Sequence, residues 1–313
     1  VPIATGSSAL TATTGDITIT SGNLNITSTT SAAGADGVVN MGGSRWIHNF
    51  GTENTFVGKN SGNFTLTTIS SVQNVGLGEG SLSSLTTSQD NTALGKDALN
   101  NLQSGSGGNT AIGKDALMES ISNTGNTAVG FQALTNTLSN QNTAIGYSAL
   151  QNINNGNAIS SVQNVGLGYS PLFNLLHGSN NLVIGGNQPL LNLSTGSNNI
   201  AILQSQNGAY SGAESSNILI GNSGVGAESN TIHIGTYGTG TSQQNKCYIA
   251  SAFSNFGTAN TFSGESAGNT SLTIANATHN TAIGTAALNG LVGTAGGNAH
   301  VLVIPAHHLL GVL

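Results

Sequence analysis

The chain has 313 residues and a net charge of −6; 5 % of its residues are charged, 4 % are aromatic and 45 are glycine. So little charge excludes disorder driven by self-repulsion, and five Lys and Arg in all exclude the clustered cations that neutralise phosphates, so no nucleic acid partner is expected. No apolar run reaches the ~18 residues of a spanning helix, so no membrane insertion is expected; Cys247, the single cysteine, excludes an intrachain disulfide and reads as a buried thiol.

The chain opens on VPIATGSS without a methionine, which reads as a processed or truncated product. Residues 1–40 alternate apolar and polar around Ile17, Ile19, Leu24 and Ile26, with a Ser-Gly-Asn bend between the two pairs. That pattern predicts an N-terminal β stalk, too small to bury a core alone and expected to intertwine with copies of itself. Residues 41–235 form a first repeat array. NTALGKDAL at 91–99 is followed by NTAIGKDAL at 109–117, NTAVGFQAL at 126–134 and NTAIGYSAL at 142–150. Residues 236–254 read as a connector. NFGTENTFVGKNSGN at 49–63 then returns as NFGTANTFSGESAGN at 255–269, so the array starts a second time, and NTAIGTAAL stands at 280–288. Residues 255–299 are this second, shorter array. Residues 300–313 are apolar and carry His300, His307 and His308; they read as a capping strand or an interface with a following module.

Repetition at a fixed period means stacked units rather than one catalytic site. Aligned on the glycine of the motif, thirteen turns follow one another, most of them 16–20 residues apart. Four residues before the glycine stands Asn in twelve of thirteen turns. Asn91, Asn109, Asn126 and Asn142 are expected to turn the chain and to pass amide hydrogen bonds along a ladder. The slot just before the glycine is aliphatic in twelve of thirteen; Leu94, Ile112, Val129 and Ile145 read as a core ladder. The slot before that is small in the middle of the array, with Ala93, Ala111, Ala128 and Ala144. Neighbouring strand residues point to opposite faces, so this small column reads as an interface where another backbone approaches. Four residues after the glycine comes Leu82, Leu99, Leu117, Leu134 or Leu150, which marks a second short strand in each turn.

Each repeat is therefore one coil, with an Asn corner, a strand, a Gly corner, a second strand and a variable polar loop. Stacked coils give an all-β fold, a parallel β-roll or β-solenoid. KDALMESI has helical spacing but is too short, and glycine too frequent, for a stable helix. A single coil of this size encloses a thin core. The small column therefore predicts a symmetric oligomer about a common axis, with threefold symmetry leaving no face unpaired.

The copies NTAIGKDAL, NTAVGFQAL and NTAIGYSAL resemble the head repeats of trimeric autotransporter adhesins and the related repeats of bacterial and phage tail-fibre-type proteins. RWIHNFGTENTFVGKNSGNFT at 45–65 and NTIHIGTYGTG with NKCYIA, within 230–250, are similar to the opening and closing segments of such fibres. The resemblance covers about residues 41–300. It implies a left-handed parallel β-roll, an intertwined parallel homotrimer forming a fibre, displayed outside a cell or on a virion and used for attachment. Its partners would be copies of itself and a surface receptor or glycan. Within these residues neither a self-cleaving chaperone domain nor a membrane-anchor barrel is recognisable.

No enzymatic chemistry is expected. The seven His residues lack HExxH or paired Cys/His spacing, so no metal or cofactor is expected. If His233 faced a threefold axis, three copies would meet there; a hydrogen-bonded His is the simpler reading. Asp97 and Asp115, beside Lys96 and Lys114, read as a surface charge stripe rather than a paired-carboxylate site. A polysaccharide depolymerase would carry acidic pairs and exposed aromatics over a groove, whereas this chain has one Trp and five Tyr. Thr55, Thr92, Thr110, Thr127 and Thr143 form a partial Thr ladder of the ice-binding kind; sharing a face with the core aliphatics, it is expected to point inward. The remaining alternative is a self-assembling structural filament subunit whose termini make open, end-to-end contacts.

Overall fold

The computed structural model describes residues 38–64, 71–153, 161–203, 210 and 212–235, together with the strands Thr261–Ser263, Thr281–Ile283 and His300–Leu302. The stalk expected up to residue 37, the connector, Cys247, His307 and His308 lie outside the described residues. The chain divides into two compact units, Val1–Gln243 and Gln244–Leu313.

Among its described residues the first unit carries thirteen strands. β1 (Val39–Met41), β2 (Ser44–His48) and β3 (Thr55–Val57) are followed by β4 (Val75–Leu77), β5 (Thr92–Leu94), β6 (Thr110–Ile112), β7 (Thr127–Val129) and β8 (Thr143–Ile145). β9 (Val165–Tyr169), β10 (Leu182–Asn187), β11 (Ile200–Leu203), β12 (Ile218–Ile220) and β13 (Ile232–Ile234) complete the set. They form one sheet in sequence order. β1–β2 is a hairpin through Gly42 and Gly43, both at positive φ, and β2 pairs antiparallel with β3. From β3 to β13 every pairing is parallel and each rung meets its equivalent: Ala93 faces Ala111, and Ala111 faces Ala128. The unit is therefore an all-β parallel solenoid with an antiparallel hairpin on its first coil.

The second strand expected in each turn is not formed among the described residues. Leu99, Leu117, Leu134 and Leu150 stand instead in turns with φ near +50°. Left-handed backbone is unfavourable for a branched side chain, by roughly 1–2 kcal/mol per residue. Each of these Leu side chains is fully buried, and full burial of a Leu contributes about 1.5–3 kcal/mol, which offsets the strain. Their amides still bond between coils, Leu99 N–H to the Ala116 carbonyl and Leu117 N–H to the Ala133 carbonyl, both at 3.0 Å. The turn side thus stacks in register without a β-ladder.

The structure reverses the two faces expected of the strands. Ala93, Ala111, Ala128 and Ala144 are fully buried inside their own coils, in one core with the turn leucines. Leu94 and Ile145 lie on the outside, 42 % and 41 % exposed, and Ile112 and Val129 are half-buried. The physical reason is the turn leucine. It is buried in the same core as the inner slot, which in the middle coils, from Gly76 to Gly166, holds only Ala or Gly. Where larger residues take the inner slot, neighbours shrink: Phe56 is fully buried, and a Cβ on Gly62 or Gly76 would meet its ring at 2.6 Å or 2.9 Å.

In the second unit, β14 (Thr261–Ser263), β15 (Thr281–Ile283) and β16 (His300–Leu302) form a parallel three-stranded sheet. β16 is a further rung in register, with Val301 opposite Ala282 and Leu302 opposite Ile283. The sequence reading ended the array at residue 299. It passed over this rung because the Asn position is Ala299 and the Gly position is Val303.

Candidate functional site

The spine of the solenoid is a buried amide ladder. The backbone N–H of Asn109 donates to Oδ1 of Asn91 at 3.1 Å, Asn126 to Asn109 at 3.0 Å and Asn142 to Asn126 at 2.9 Å. The ladder continues from Asn54 to Asn217 and ends where Thr231 donates both its N–H and its hydroxyl to Asn217 Oδ1. The Nδ2 groups reach the adjoining loop: Asn109 to the Asn123 carbonyl and Asn126 to the Ser139 carbonyl, at 2.9 and 2.8 Å. Left-handed backbone falls on the residue before each Asn, on Asp90, Gln141 or Gln163 for example. The Asn side chain locks the corner, and its predecessor turns it.

Opposite in character is the outer face of the sheet. The aliphatic column runs from Val57 to Ile234, and Leu77, Ile202 and Ile234 are 45–49 % exposed. Beside it runs the Thr55, Val75, Thr92, Thr110, Thr127 and Thr143 column, which continues through Val165 and Leu182 to Ile200 and Ile232; all of these are exposed or half-buried. The Thr ladder expected to point inward therefore points outward, because the whole face is reversed. Eleven parallel strands at about 4.8 Å spacing make the aliphatic column a stripe on the order of 50 Å long, and from Val165 onward the neighbouring column is aliphatic too.

A third column begins just after the ladder glycine. In its first half it is charged: Lys96 Nζ lies 3.4 Å from Glu79 and 3.5 Å from Asp97, and Lys114 Nζ lies 3.0 Å from Asp115. Asp97 and Asp115 also take φ of 56° and 60°, a backbone that Asp tolerates better than most residues. In its second half the column turns aromatic. Phe131 and Tyr147 stack at 5.2 Å between centroids, and Tyr147 and Tyr169 at 5.0 Å, with interplanar angles of 22° and 7°. Lys114 covers the first ring at 5.2 Å. Sequence reading missed this stack, although its signal is visible as the residue after the aligned glycine in GFQAL, GYSAL and GYSPL.

The last coils of the first array are closed by carboxylates. Glu228 accepts from the Tyr210 hydroxyl at 2.8 Å and from the Val225 N–H at 2.9 Å, and His233 Nε2 lies 2.9 and 3.0 Å from its two oxygens. Burial alone would raise the pKa of Glu228, but the Val225, His233 and Tyr210 bonds outweigh it and hold it below the usual carboxylate range. Burial, then the Glu228 bond, pushes the Tyr210 phenol up. Glu214 accepts from the Gly212 and Ala227 amides at 2.9 and 3.0 Å. His233 occupies the inner slot, opposite Leu219, and so belongs to its own coil. At the other end His48 is buried against Phe56 and Phe64 and bonded at 2.7 Å to the Ser61 carbonyl oxygen. Burial lowers its pKa, more than the Ser61 bond raises it.

Among the described residues no three His, Cys, Asp or Glu side chains come together as a metal site. Comparison of the chain with family models, with curated proteins and with solved structures returns no match.

Proposed function

We propose that the chain is a non-enzymatic attachment fibre, a parallel homotrimer displayed on a cell surface or virion, whose copies cover one another's outer sheet faces. The observation that carries this is the continuous apolar stripe. Monomers usually leave only a few hundred Å² of contiguous apolar surface exposed, whereas this column carries an exposed or half-buried aliphatic residue on eleven successive rungs. Burying one aliphatic residue per rung contributes on the order of 1 kcal/mol. Over eleven rungs this is comparable to the roughly 4–15 kcal/mol lost in association.

The stripe repeats once per coil along the whole array, so only a partner with the same pitch and length covers all of it. A second and third copy in parallel register meet that demand, and threefold closure leaves no stripe uncovered. The resemblance of NTAIGKDAL and its copies to adhesin-head and tail-fibre repeats supports the left-handed coil and the extracellular setting. The Ala column, now inside the coil, no longer argues for assembly; the aliphatic column replaces it.

Negative-stain electron microscopy of the purified chain, with its mass determined in the same sample, tests this reading. Discrete rods of three chains are expected. Micrometre filaments would favour the end-to-end subunit instead. Single chains would leave the Thr and aliphatic columns facing water, and would overturn the trimer.

A further inference from the structure

We infer that the seam between copies is polarised along the solenoid. Over β9–β13 it is two residues wide and takes in Val165, Leu182, Ile200, Ile218 and Ile232; over β3–β8 it is one residue wide. The wide half fixes the direction and register in which copies join. The inference rests on the trimer reading and names the residues that specify the partner.

The aliphatic column has a flank on either side. On one side runs the third column, where Glu79, Lys96 and Lys114 keep about half of each side chain in solvent. Solvated ions are costly to draw into a dry contact, so the seam can widen only toward the other side. There the outer slot changes character along the sheet. Over β3–β8 it holds Thr on every rung but that of Val75. At β9 the column passes from Thr143 to Val165, and Leu182, Ile200, Ile218 and Ile232 follow rung upon rung. Ile200 is 39 % exposed and Ile232 67 %. A Thr hydroxyl drawn into a dry contact needs a hydrogen-bond partner there, whereas an aliphatic side chain needs none.

This asymmetry distinguishes one arrangement of copies from its reverse. β8 is the middle of the eleven parallel rungs. In an antiparallel pair, β9–β13 of one copy lie against β3–β7 of the other, and the second aliphatic column meets Thr92, Thr110 and Thr127. In a parallel pair in register, the wide half of one copy meets the wide half of the other at every height. Charge takes no part in the choice, because neither outer column carries a charged residue from β3 to β13. Direction is therefore set by the cost of the wrong arrangement as much as by the gain of the right one.

Light scattering on matched Asp variants of the full chain tests the seam, with strand content followed by circular dichroism. Thr92 in β5 and Ile200 in β11 stand on the third rung from either end of the parallel stack, and both are exposed. Ile200→Asp should reduce the mass to one chain with its strand spectrum intact, and Thr92→Asp should leave three chains. Should Ile200→Asp lose its strand spectrum, Ile200→Thr decides, since it gives β11 the outer pattern of β5. It should raise the concentration at which the trimer falls apart at least tenfold. Equal effects of the two Asp substitutions, or no effect of either, overturn the polarised seam and leave the trimer standing. A single-chain wild type sinks the trimer and the seam with it. Direction is read by pulsed dipolar EPR from a spin label at Lys59→Cys in a Cys247→Ser background. Parallel copies hold these labels at one height, whereas antiparallel copies separate them by ten rungs, ~48 Å along the stack at the strand spacing. A dominant distance well below that is expected, and one at or beyond it overturns the directing role of the wide half.

Discussion

The inner and outer faces of the long sheet are built from adjacent residues of the same eleven strands, yet size governs one and apolarity the other. Ala128 is sealed inside its coil against the turn leucines, while Ile145, one rung on and one residue across, stands 41 % exposed. The inner column is small because the coil fills its own interior from the turn side. The outer column is uniformly branched and apolar, and among the described residues it stands exposed or half-buried. A column conserved in size reports packing within a coil; one kept apolar while exposed reports a partner.

Substitutions that exchange the rules of the two faces test this most strongly. Ala128→Phe should cost about 3 kcal/mol or more by overpacking and abolish the cooperative melt followed by circular dichroism. Ile145→Asp should leave the strand spectrum of each chain in place and reduce the solution mass. Next in size is the glycine corner. Gly113 has φ +134°, and a Cβ there would collide with the Gly130 carbonyl oxygen. Gly113→Ala should cost about 2 kcal/mol, within the 1–3 kcal/mol of a strained backbone site, read as a lower unfolding midpoint in urea.

Asn126→Ala removes the acceptor of the Asn142 amide and the donor to Ser139. Leaving that buried N–H without a partner should cost about 1–3 kcal/mol, measurable in the same titration. At the two ends, acidity is the lever. His48, buried with a lowered pKa, contributes stability that is full above its unfolded value near 6.5 and lost as the pH falls through its folded value. Glu228, also lowered, does the same below about 4.3. Thermal melts between pH 7 and 3 should therefore show two successive losses, and Glu228→Gln should remove the more acidic one. The smallest effect is expected at Lys96, whose pairs with Glu79 and Asp97 are solvent-exposed; Lys96→Ala should not measurably shift the melting temperature.

The period, the strand positions and the parallel stacking were legible in the sequence, because Asn, Ala, aliphatic and Gly recur at fixed offsets. The side to which each column points was not. Alternation separates Ala128 from Val129 but cannot say which is inside; that depends on Leu134, which crosses the coil from a left-handed turn. The same leucine was read as a strand, since left-handed backbone at a branched residue has no sequence signal. The aromatic stack was legible in principle, as three rings in one aligned slot. The Glu228 cluster was not, because Tyr210, Glu228 and His233 sit in the irregular closing coils.

The central claim is that the outer aliphatic face is buried by copies of the same chain. Light scattering on the purified protein in solution measures this directly. The account predicts a mass three times the 31.1 kDa of one chain, falling to a single chain in Ile145→Asp with its strand spectrum intact. A wild-type mass of one chain, with the outer face in water, would contradict it.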